Sequence, residues 1–194
     1  MIKQAFATPI SIEKITVDDI VETIFLEYDL SKPPDDKYNI FEGDCKPAVK
    51  ELEKIAYDRF RNYVDKAFDI DIDKYESAMK AWITGHGEQY SMAIHNHSGS
   101  WFSAVYYALA EEQGRGGAIS FHDPRTNANR GYDANFAPHF AAEKIQPETG
   151  DLVIFPSFLY HHVDPYFSKF RIAIPIDLYL ANKPDGKDNE SIFE

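Results

Sequence analysis

The chain has little of what would tie it to an oxidising compartment or to a membrane. Cys45 is the only cysteine among 194 residues, so no intramolecular disulfide can form. No run of about 18 apolar residues occurs, and the first residues lack the sustained apolar stretch of a secretory signal. We therefore expect a cytosolic protein whose fold does not depend on disulfides.

The sequence motifs of several common enzyme classes are also absent. The chain has no Gly-X-Ser-X-Gly segment, which argues against a serine hydrolase of the α/β type. It has neither a phosphate loop nor a dinucleotide-binding fingerprint. Cys45 stands far in sequence from any histidine, so a cysteine hydrolase is not expected either.

The formal net charge of −12 argues against free nucleic acid or an anionic membrane as the main partner, because both repel such a surface. A local basic pocket could still bind a small anion. The length predicts one domain, residues 1–194, with a core of substantial size. The many aromatic residues, 14 Phe and 12 Tyr, are typical of a β-rich interior.

The first part of the chain, residues 1–74, predicts one strand and two supporting helices. Residues 5–15 are extended in pattern, with Pro9 confining them to a sheet edge. A helix is predicted from Val17 to Tyr28 with Thr16 as N-cap. A second helix follows Asp44 as cap, with Pro47 in its first turn. Its predicted buried face consists of Val49, Leu52, Ala56, Phe60, Tyr63 and Ala67.

The second part, residues 75–181, predicts short strands separated by glycine-rich turns, which favours a sandwich or barrel. The expected strands are 78–84, 89–95, 102–109, 117–122, 151–156 and 170–180. Two polar segments, 30–44 and 123–140, are candidates for loops that cover a site. A polar tail, 182–194, completes the chain.

All seven histidines lie after residue 85, and two of them stand two positions apart. In an extended segment, His95 and His97 project to the same side, as a metal site requires. A third imidazole is offered by the Tyr-His-His-Val segment at 160–163. If that segment is extended, only one of His161 and His162 can face the site.

Arg171 lies on an otherwise apolar predicted strand, where an unpaired buried charge is not tolerated. It could pair with an internal Asp or Glu. Alternatively, it could bind the carboxylate of a small acid through two parallel hydrogen bonds.

Several motifs occur in an order that resembles that of a known family. His-X-His is followed by Ser-Ala-Val-Tyr-Tyr, Gly-Gly-Ala-Ile-Ser-Phe-His-Asp-Pro-Arg, Gly-Asp-Leu-Val-Ile-Phe-Pro-Ser, His-His-Val-Asp-Pro and Arg-Ile-Ala-Ile. Over roughly residues 78–180 the chain resembles the 2-oxoglutarate/Fe(II) oxygenases of the double-stranded β-helix (jelly-roll) superfamily. It is most similar to a bacterial and phage group with the His-X-His, Asp-Pro-Arg and Phe-Pro-Ser elements, and more remotely resembles prolyl hydroxylases. The resemblance implies a mostly β (α+β) fold, a jelly-roll core supported by N-terminal helices.

The resemblance also implies roles for individual residues. The family's first metal histidine falls on His95, and its distal one on His161, because Val-X-Pro begins two residues later. The co-substrate arginine falls on Arg171, and Tyr107 matches a position that hydrogen-bonds the same carboxylate. Ser157, Arg125 and Trp101 stand where residues lining the co-substrate pocket are expected.

One position departs from the superfamily pattern. The superfamily usually has Asp or Glu two residues after the first histidine, completing a two-histidine, one-carboxylate triad, and this chain has His97. Three neutral imidazoles leave the full +2 charge on the metal, so zinc or nickel could compete with iron. Alternatively, Asp123 supplies a carboxylate and His97 stands behind the ligands. We favour His97 as the ligand.

The resemblance thus implies a non-haem Fe(II)- and 2-oxoglutarate-dependent dioxygenase that hydroxylates an unidentified substrate with O2, releasing succinate and CO2. Two alternatives stay open. One is a cupin-like three-histidine dioxygenase that uses no 2-oxoglutarate, in which Arg171 and Tyr107 would have no carboxylate to hold. The other is a jelly-roll binding or structural module without enzymatic activity.

Overall fold

A computed structural model describes residues 7–30, 38–87, 89–110, 116–125, 142–167 and 170–183. Most of the predicted loop 123–140, part of the loop 30–44 and nearly all of the tail 182–194 lie outside the described residues. Among the helices described, none combines the length and apolar character needed to cross a membrane.

The described residues form helices, mainly near the start of the chain, and ten strands. The helices are α1 (Ile20–Glu27), α2 (Pro47–Phe68) and a short 3-10 helix (Ile72–Lys74). The strands are β1 (Ser11–Lys14), β2 (Tyr75–Ala81), β3 (Thr84–His86), β4 (Met92–His95), β5 (Phe102–Leu109), β6 (Ile119–His122), β7 (Ala142–Ile145), β8 (Asp151–Pro156), β9 (His161–Val163) and β10 (Arg171–Asn182).

The strands form two antiparallel sheets. The major sheet has the order β1-β8-β5-β10-β2, with β3 also paired to β10. The minor sheet has the order β4-β9-β6-β7. This arrangement confirms the predicted mostly β fold with supporting helices. The division of the chain at residues 74 and 181 stays a prediction.

The major sheet is covered on both faces, which explains why its central strands are continuously apolar. On β5, Ala104 and Tyr106 pack in the core that contains α1 and α2, whereas Val105 and Tyr107 pack in a second core with residues of the minor sheet. The core between the helices and the major sheet excludes solvent, since Leu52 and Phe60 of α2 are fully buried. Burying such a side chain contributes about 1.5–3 kcal/mol. The site described below lies beside the second core.

The helix ends differ from the predicted ones. Helix α1 begins at Ile20 rather than Val17, and the prediction of Thr16 as N-cap is wrong, because Asp19 occupies that position with φ 58° and makes no capping bond through its side chain. Helix α2 has Lys46 rather than Asp44 at its N-cap, while Pro47 does occupy the first turn.

The predicted buried face of α2 is confirmed except at Ala67, its last residue. Ala67 is exposed, and Val64, fully buried, takes its place in the core. The helix ends at Phe68, one residue later, and the ring of Phe68 still lies 5.4 Å from that of Phe102 on β5.

The strand predictions succeed where the strand is buried on both faces. β5 and β8 have the predicted bounds, 102–109 and 151–156. The strands β7 and β9 were not predicted: β7 is mostly exposed at the edge of the minor sheet, and β9 has only three residues. Both are too short or too polar for a period of two to stand out.

Candidate metal centre

Three histidines from the minor sheet and its adjoining turn converge on one point. His95 ends β4 and is paired in register with His161 at the start of β9. His97 follows in the turn after β4. The ring centroids of His95 and His161 lie 4.3 Å apart, and those of His97 and His161 lie 5.2 Å apart. Each histidine offers a nitrogen within 4.8 Å of the other two, which is the convergence that a metal ion requires.

Hydrogen bonds fix the ring tautomer of two of these histidines. His95 Nδ1 lies 2.8 Å from the carbonyl oxygen of Ala93, and His161 Nδ1 lies 3.0 Å from that of Leu159. A carbonyl oxygen only accepts, so each Nδ1 carries a hydrogen and donates it. Each Nε2 therefore keeps its lone pair, which is the form that ligates a metal.

The third histidine is held by a side chain instead of the main chain. His97 Nδ1 lies 2.7 Å from Oδ1 of Asp177, and the same oxygen accepts a 2.7 Å bond from Ser103 Oγ. Ser157 Oγ lies 2.8 Å from the hydroxyl oxygens of both Ser100 and Ser103. Ser157 thus lies in a buried serine cluster behind His97.

Burial keeps His95 and His161 neutral. It lowers the pKa of His161 to about 3 and also lowers that of His95, because a charged ring loses solvation in this environment. Neighbouring imidazoles lower both values further, since like charges would repel. Both rings are therefore unprotonated at neutral pH, as metal binding demands.

A cavity between the two sheets joins the histidines to Arg171 and Tyr107. Its walls are formed by Trp82, Thr84, Met92, His95, His97, Val105, Tyr107, Ile119, His161, Val163, Arg171, Ala173 and Pro175. Most of this lining is apolar or aromatic, so the few polar groups determine what can bind.

Arg171 is a buried cation without an acidic partner among the described residues. It is 3% exposed, and its Nη1 donates a 2.6 Å bond to the carbonyl oxygen of Gly117. The guanidinium carbon lies 5.5 and 5.2 Å from the ring centroids of Tyr107 and Tyr166. Within the described part of the chain, Arg171 Nε has no hydrogen-bond partner.

This arrangement fits an anion in the cavity. An unpaired buried guanidinium is costly, and a bound carboxylate can satisfy both its charge and its free N–H. Burial raises the pKa of Tyr107 to about 12, so its hydroxyl stays protonated and can donate a hydrogen bond to the same anion. A small acid with one carboxylate at Arg171 and a second polar end at the histidines matches these groups.

The other predicted pocket residues lie outside this cavity's lining. Trp101 is 55% exposed and donates through Nε1 to the carbonyl oxygen of Leu180. Arg125 is bonded to Asp123, with Nε 2.9 Å from Oδ1, and this contact lowers the pKa of the Asp123 carboxyl. Asp123 is not part of the histidine cluster found among the described residues.

Sequence reasoning missed Asp177 and the role of Gly117. Asp177 stands six positions after Arg171 on the same strand, hence on the same face, so the alternation of β10 carried a signal that could have found it.

His162 lies apart from the three converging histidines. It contacts His122 and Asp164, with His122 Nε2 2.8 Å from His162 Nδ1. It does not belong to the converging cluster.

A family model described as “Putative 2OG-Fe(II) oxygenase” matches residues 80–177, half of the chain. That range includes every histidine of the cluster, Arg171, Tyr107 and Asp177. No curated protein sequence matches this chain.

Several solved structures share the fold. An oxidoreductase of the 2OG-Fe(II) oxygenase family from Burkholderia pseudomallei matches at 13% identity and TM-score 0.53, covering 76% of this chain and 63% of that one. A Pseudomonas putida prolyl-4-hydroxylase matches at 14% identity and TM-score 0.60, covering 91% and 94%. HygX from Streptomyces hygroscopicus, solved with iron bound, matches at 12% identity and TM-score 0.58, covering 89% and 82%. This chain thus spans less than two thirds of the first protein and nearly all of the second.

Proposed function

This chain belongs to the 2OG-Fe(II) oxygenase family, and from that premise we propose that it is an Fe(II)- and 2-oxoglutarate-dependent dioxygenase that hydroxylates its substrate. The observation that supports this most is the cavity that joins three converging histidines to a buried, unpaired arginine. Bound together, Fe(II) and 2-oxoglutarate would supply the oxygen-activating chemistry, with succinate and CO2 as the products of the co-substrate.

The three histidines would hold the metal through Nε2. Hydrogen bonds at Nδ1 fix the rings of His95, His97 and His161 before the metal arrives, so little ordering is needed on binding. Since burial keeps His161 neutral, no proton has to leave this ring when the metal binds near neutral pH.

The distal carboxylate of 2-oxoglutarate would bind Arg171 and Tyr107. The guanidinium offers a free Nε–H and the phenol an O–H, both buried in the cavity wall. Exclusion of water strengthens this ion pair relative to an exposed one. Ser157 would act indirectly. Its hydroxyl is hydrogen-bonded to that of Ser103, and Ser103 donates a hydrogen bond to Asp177.

The substrate would approach from an open groove that also borders His95 and His97. This groove shares Trp82, Met92, His95 and His97 with the cavity, and its other lining residues are Lys80, Tyr90, Asn96, Ser98, Asp177 and Tyr179. Aromatic rings, an amide and one ammonium group suit a substrate with both flat and polar parts.

The buried arginine also separates this proposal from a three-histidine dioxygenase that needs no oxo acid. Such an enzyme would have no carboxylate for a buried guanidinium in the same cavity to hold. Neither a binding module nor a structural jelly roll would require a cavity that links a histidine cluster to a buried arginine.

Anaerobic titration with Fe(II) and 2-oxoglutarate tests the proposal. A weak visible metal-to-ligand absorption band is expected in the wild-type protein when both are present. After O2 is admitted, succinate should form only in samples that contain 2-oxoglutarate. Arg171→Met, with its metal ligands intact, should lose the band at moderate 2-oxoglutarate concentration. Absence of the band and of succinate from the wild-type protein would contradict the proposal.

A further inference from the structure

A buried carboxylate stands directly behind one of the three histidines. Asp177 Oδ1 lies 2.7 Å from His97 Nδ1, and the side chains of His97 and Asp177 are only 6% and 8% exposed. The equivalent nitrogens of His95 and His161 contact main-chain carbonyl oxygens. His97 is therefore the one ring of the three that is backed by a full negative charge.

We propose that Asp177 supplies, through the ring of His97, the negative charge that a carboxylate ligand would otherwise bring to the metal. This inference rests on the proposed function only in requiring a divalent metal at the three histidines. A carboxylate bonded to the far nitrogen of a ligating imidazole fixes its tautomer and raises the basicity of the nitrogen that faces the metal. Asp177 is thus a positioning residue, since it acts through His97.

The surroundings of Asp177 support this role. Its Oδ1 accepts two hydrogen bonds, from His97 and from Ser103 Oγ. Lys80 is its register partner on β2, yet among the described residues the ion-pair partner of Asp177 is His97, and no Lys or Arg lies within ion-pairing distance. A buried carboxylate without a cationic partner is costly to maintain. A divalent ion on the other side of the His97 ring would compensate that cost.

The charge balance explains how this chain can replace a carboxylate ligand with histidine. Three neutral imidazoles leave a divalent ion with its whole +2 charge, whereas a carboxylate ligand reduces the total to +1. With Asp177 included, the three-histidine site also totals +1. The negative charge has moved one imidazole ring outward and stays within the same buried cluster.

Asp177→Asn tests the charge while keeping the shape. The amide oxygen can still accept from His97 Nδ1–H and Ser103 Oγ–H, so hydrogen bonding is retained and only the charge is lost. We expect the Kd for Fe(II), and for Zn²⁺, to rise about 10- to 100-fold. Both values are measured anaerobically by competition with a chelator, without any activity assay.

Asp58→Asn is the matched control. Asp58 is an exposed carboxylate on α2 that pairs with Arg61 at 3.5 Å, so the substitution removes the same net charge far from the chemistry. Its metal Kd should equal that of the wild-type protein. An unchanged Kd in Asp177→Asn, or an equal loss in Asp58→Asn, would overturn the inference.

A second measurement needs no substitution and covers the case in which Asp177→Asn does not fold. In the Zn²⁺-loaded wild-type protein, the Nδ1 proton of His97 should resonate downfield of those of His95 and His161, because only it is shared with a carboxylate. Equal positions of the three protons would overturn the inference. Failure of the wild-type protein to bind either metal would overturn the proposed function as well.

Discussion

At the scale of single residues, Arg171 carries the clearest conflict between stability and function. Its guanidinium is buried, and within the described part of the chain its Nε lacks a partner. Such a group destabilises the unliganded protein and stabilises a complex with an anion. Substituting it should therefore change stability and co-substrate affinity in opposite directions.

We expect Arg171→Met to raise the 2-oxoglutarate Kd of the metal-loaded protein by about 100-fold or more, because hydrogen bonds to charged groups contribute about 1.5–3 kcal/mol each. The free energy of unfolding of the unliganded protein should rise by about 1 kcal/mol or more. Isothermal titration calorimetry and urea unfolding measure the two quantities. Arg61→Met, at an exposed site on α2, should change neither. A less stable Arg171→Met with unchanged 2-oxoglutarate affinity would contradict both expectations.

His161 makes the stability of the metal-free protein depend on pH. The folded state holds its pKa at about 3, below the unfolded value near 6.5. Below about pH 6.5 the unfolded chain therefore takes up a proton that the folded chain does not, so the free energy of unfolding falls as the pH drops from 6.5 towards 3. Urea unfolding at a series of pH values should show this decline, and His161→Gln should make it shallower. Parallel curves for the two proteins would show that His161 is not responsible.

At the scale of elements, the turn before β6 places the arginine. Gly117 has φ +72°, and a Cβ built there would lie 2.7 Å from Arg171 Nη1 and 2.7 Å from a ring carbon of Tyr166. The main chain of this turn also accepts the only described hydrogen bond of the guanidinium, at the carbonyl oxygen of Gly117. A side chain at this position must therefore displace Arg171 or the turn itself.

Gly117→Ala should raise the 2-oxoglutarate Kd at least about 10-fold, the equivalent of one lost hydrogen bond to a charged group. Metal affinity should stay within about threefold, since His95 and His161 lie on β4 and β9 and His97 lies in the turn after β4. Gly43→Ala is the matched control, because Gly43 has φ +77° and nothing within 4 Å of a built Cβ, so it carries the same backbone strain. If both variants bind 2-oxoglutarate equally well, the turn does not position Arg171. Calorimetry on the metal-loaded proteins measures the difference.

The sequence predicts an element or a site residue well when the signal lies within one short segment, and poorly when it depends on residues far apart in the chain. The strands β5 and β8 are recognisable because both of their faces are buried, which produces continuous apolar runs. The His95/His97 pair is recognisable because its spacing alone makes the rings converge. Asp177 depends on the distance between β10 and the turn after β4, which only the tertiary fold determines. The N-cap predictions were wrong because several polar residues near each helix start could cap it. The residues at these positions are Asp19 and Lys46 instead.

At the scale of the whole molecule, the metal would bind where the minor sheet meets the major one. Its ligands come from β4, β9 and the turn after β4, and His97 is tied through Asp177 to β10 of the major sheet. Metal binding should therefore stabilise the association of the two sheets and, with it, the folded chain.

We expect saturating Zn²⁺ to raise the free energy of unfolding by about 2.7 kcal/mol when its concentration is 100 times Kd. Differential scanning calorimetry should show the corresponding rise in Tm, and His95→Ala should abolish it. Lys54→Ala, an exposed change on α2, should show the same rise as the wild-type protein. A rise that persists in His95→Ala would place the stabilising metal elsewhere.

Strand β10 fixes the positions of Arg171 and Asp177 relative to each other. Arg171 and Asp177, which holds His97, are both buried and lie six residues apart on the same face of the strand. Pairing with β2, β3 and β5 keeps the strand from sliding. The interval, about 20 Å between α-carbons at roughly 3.3 Å per residue, is thus set by backbone pitch and not by flexible side chains. Because successive side chains of a strand face opposite ways, inserting or removing one residue between Arg171 and Asp177 would turn one of the two away from the space between the sheets.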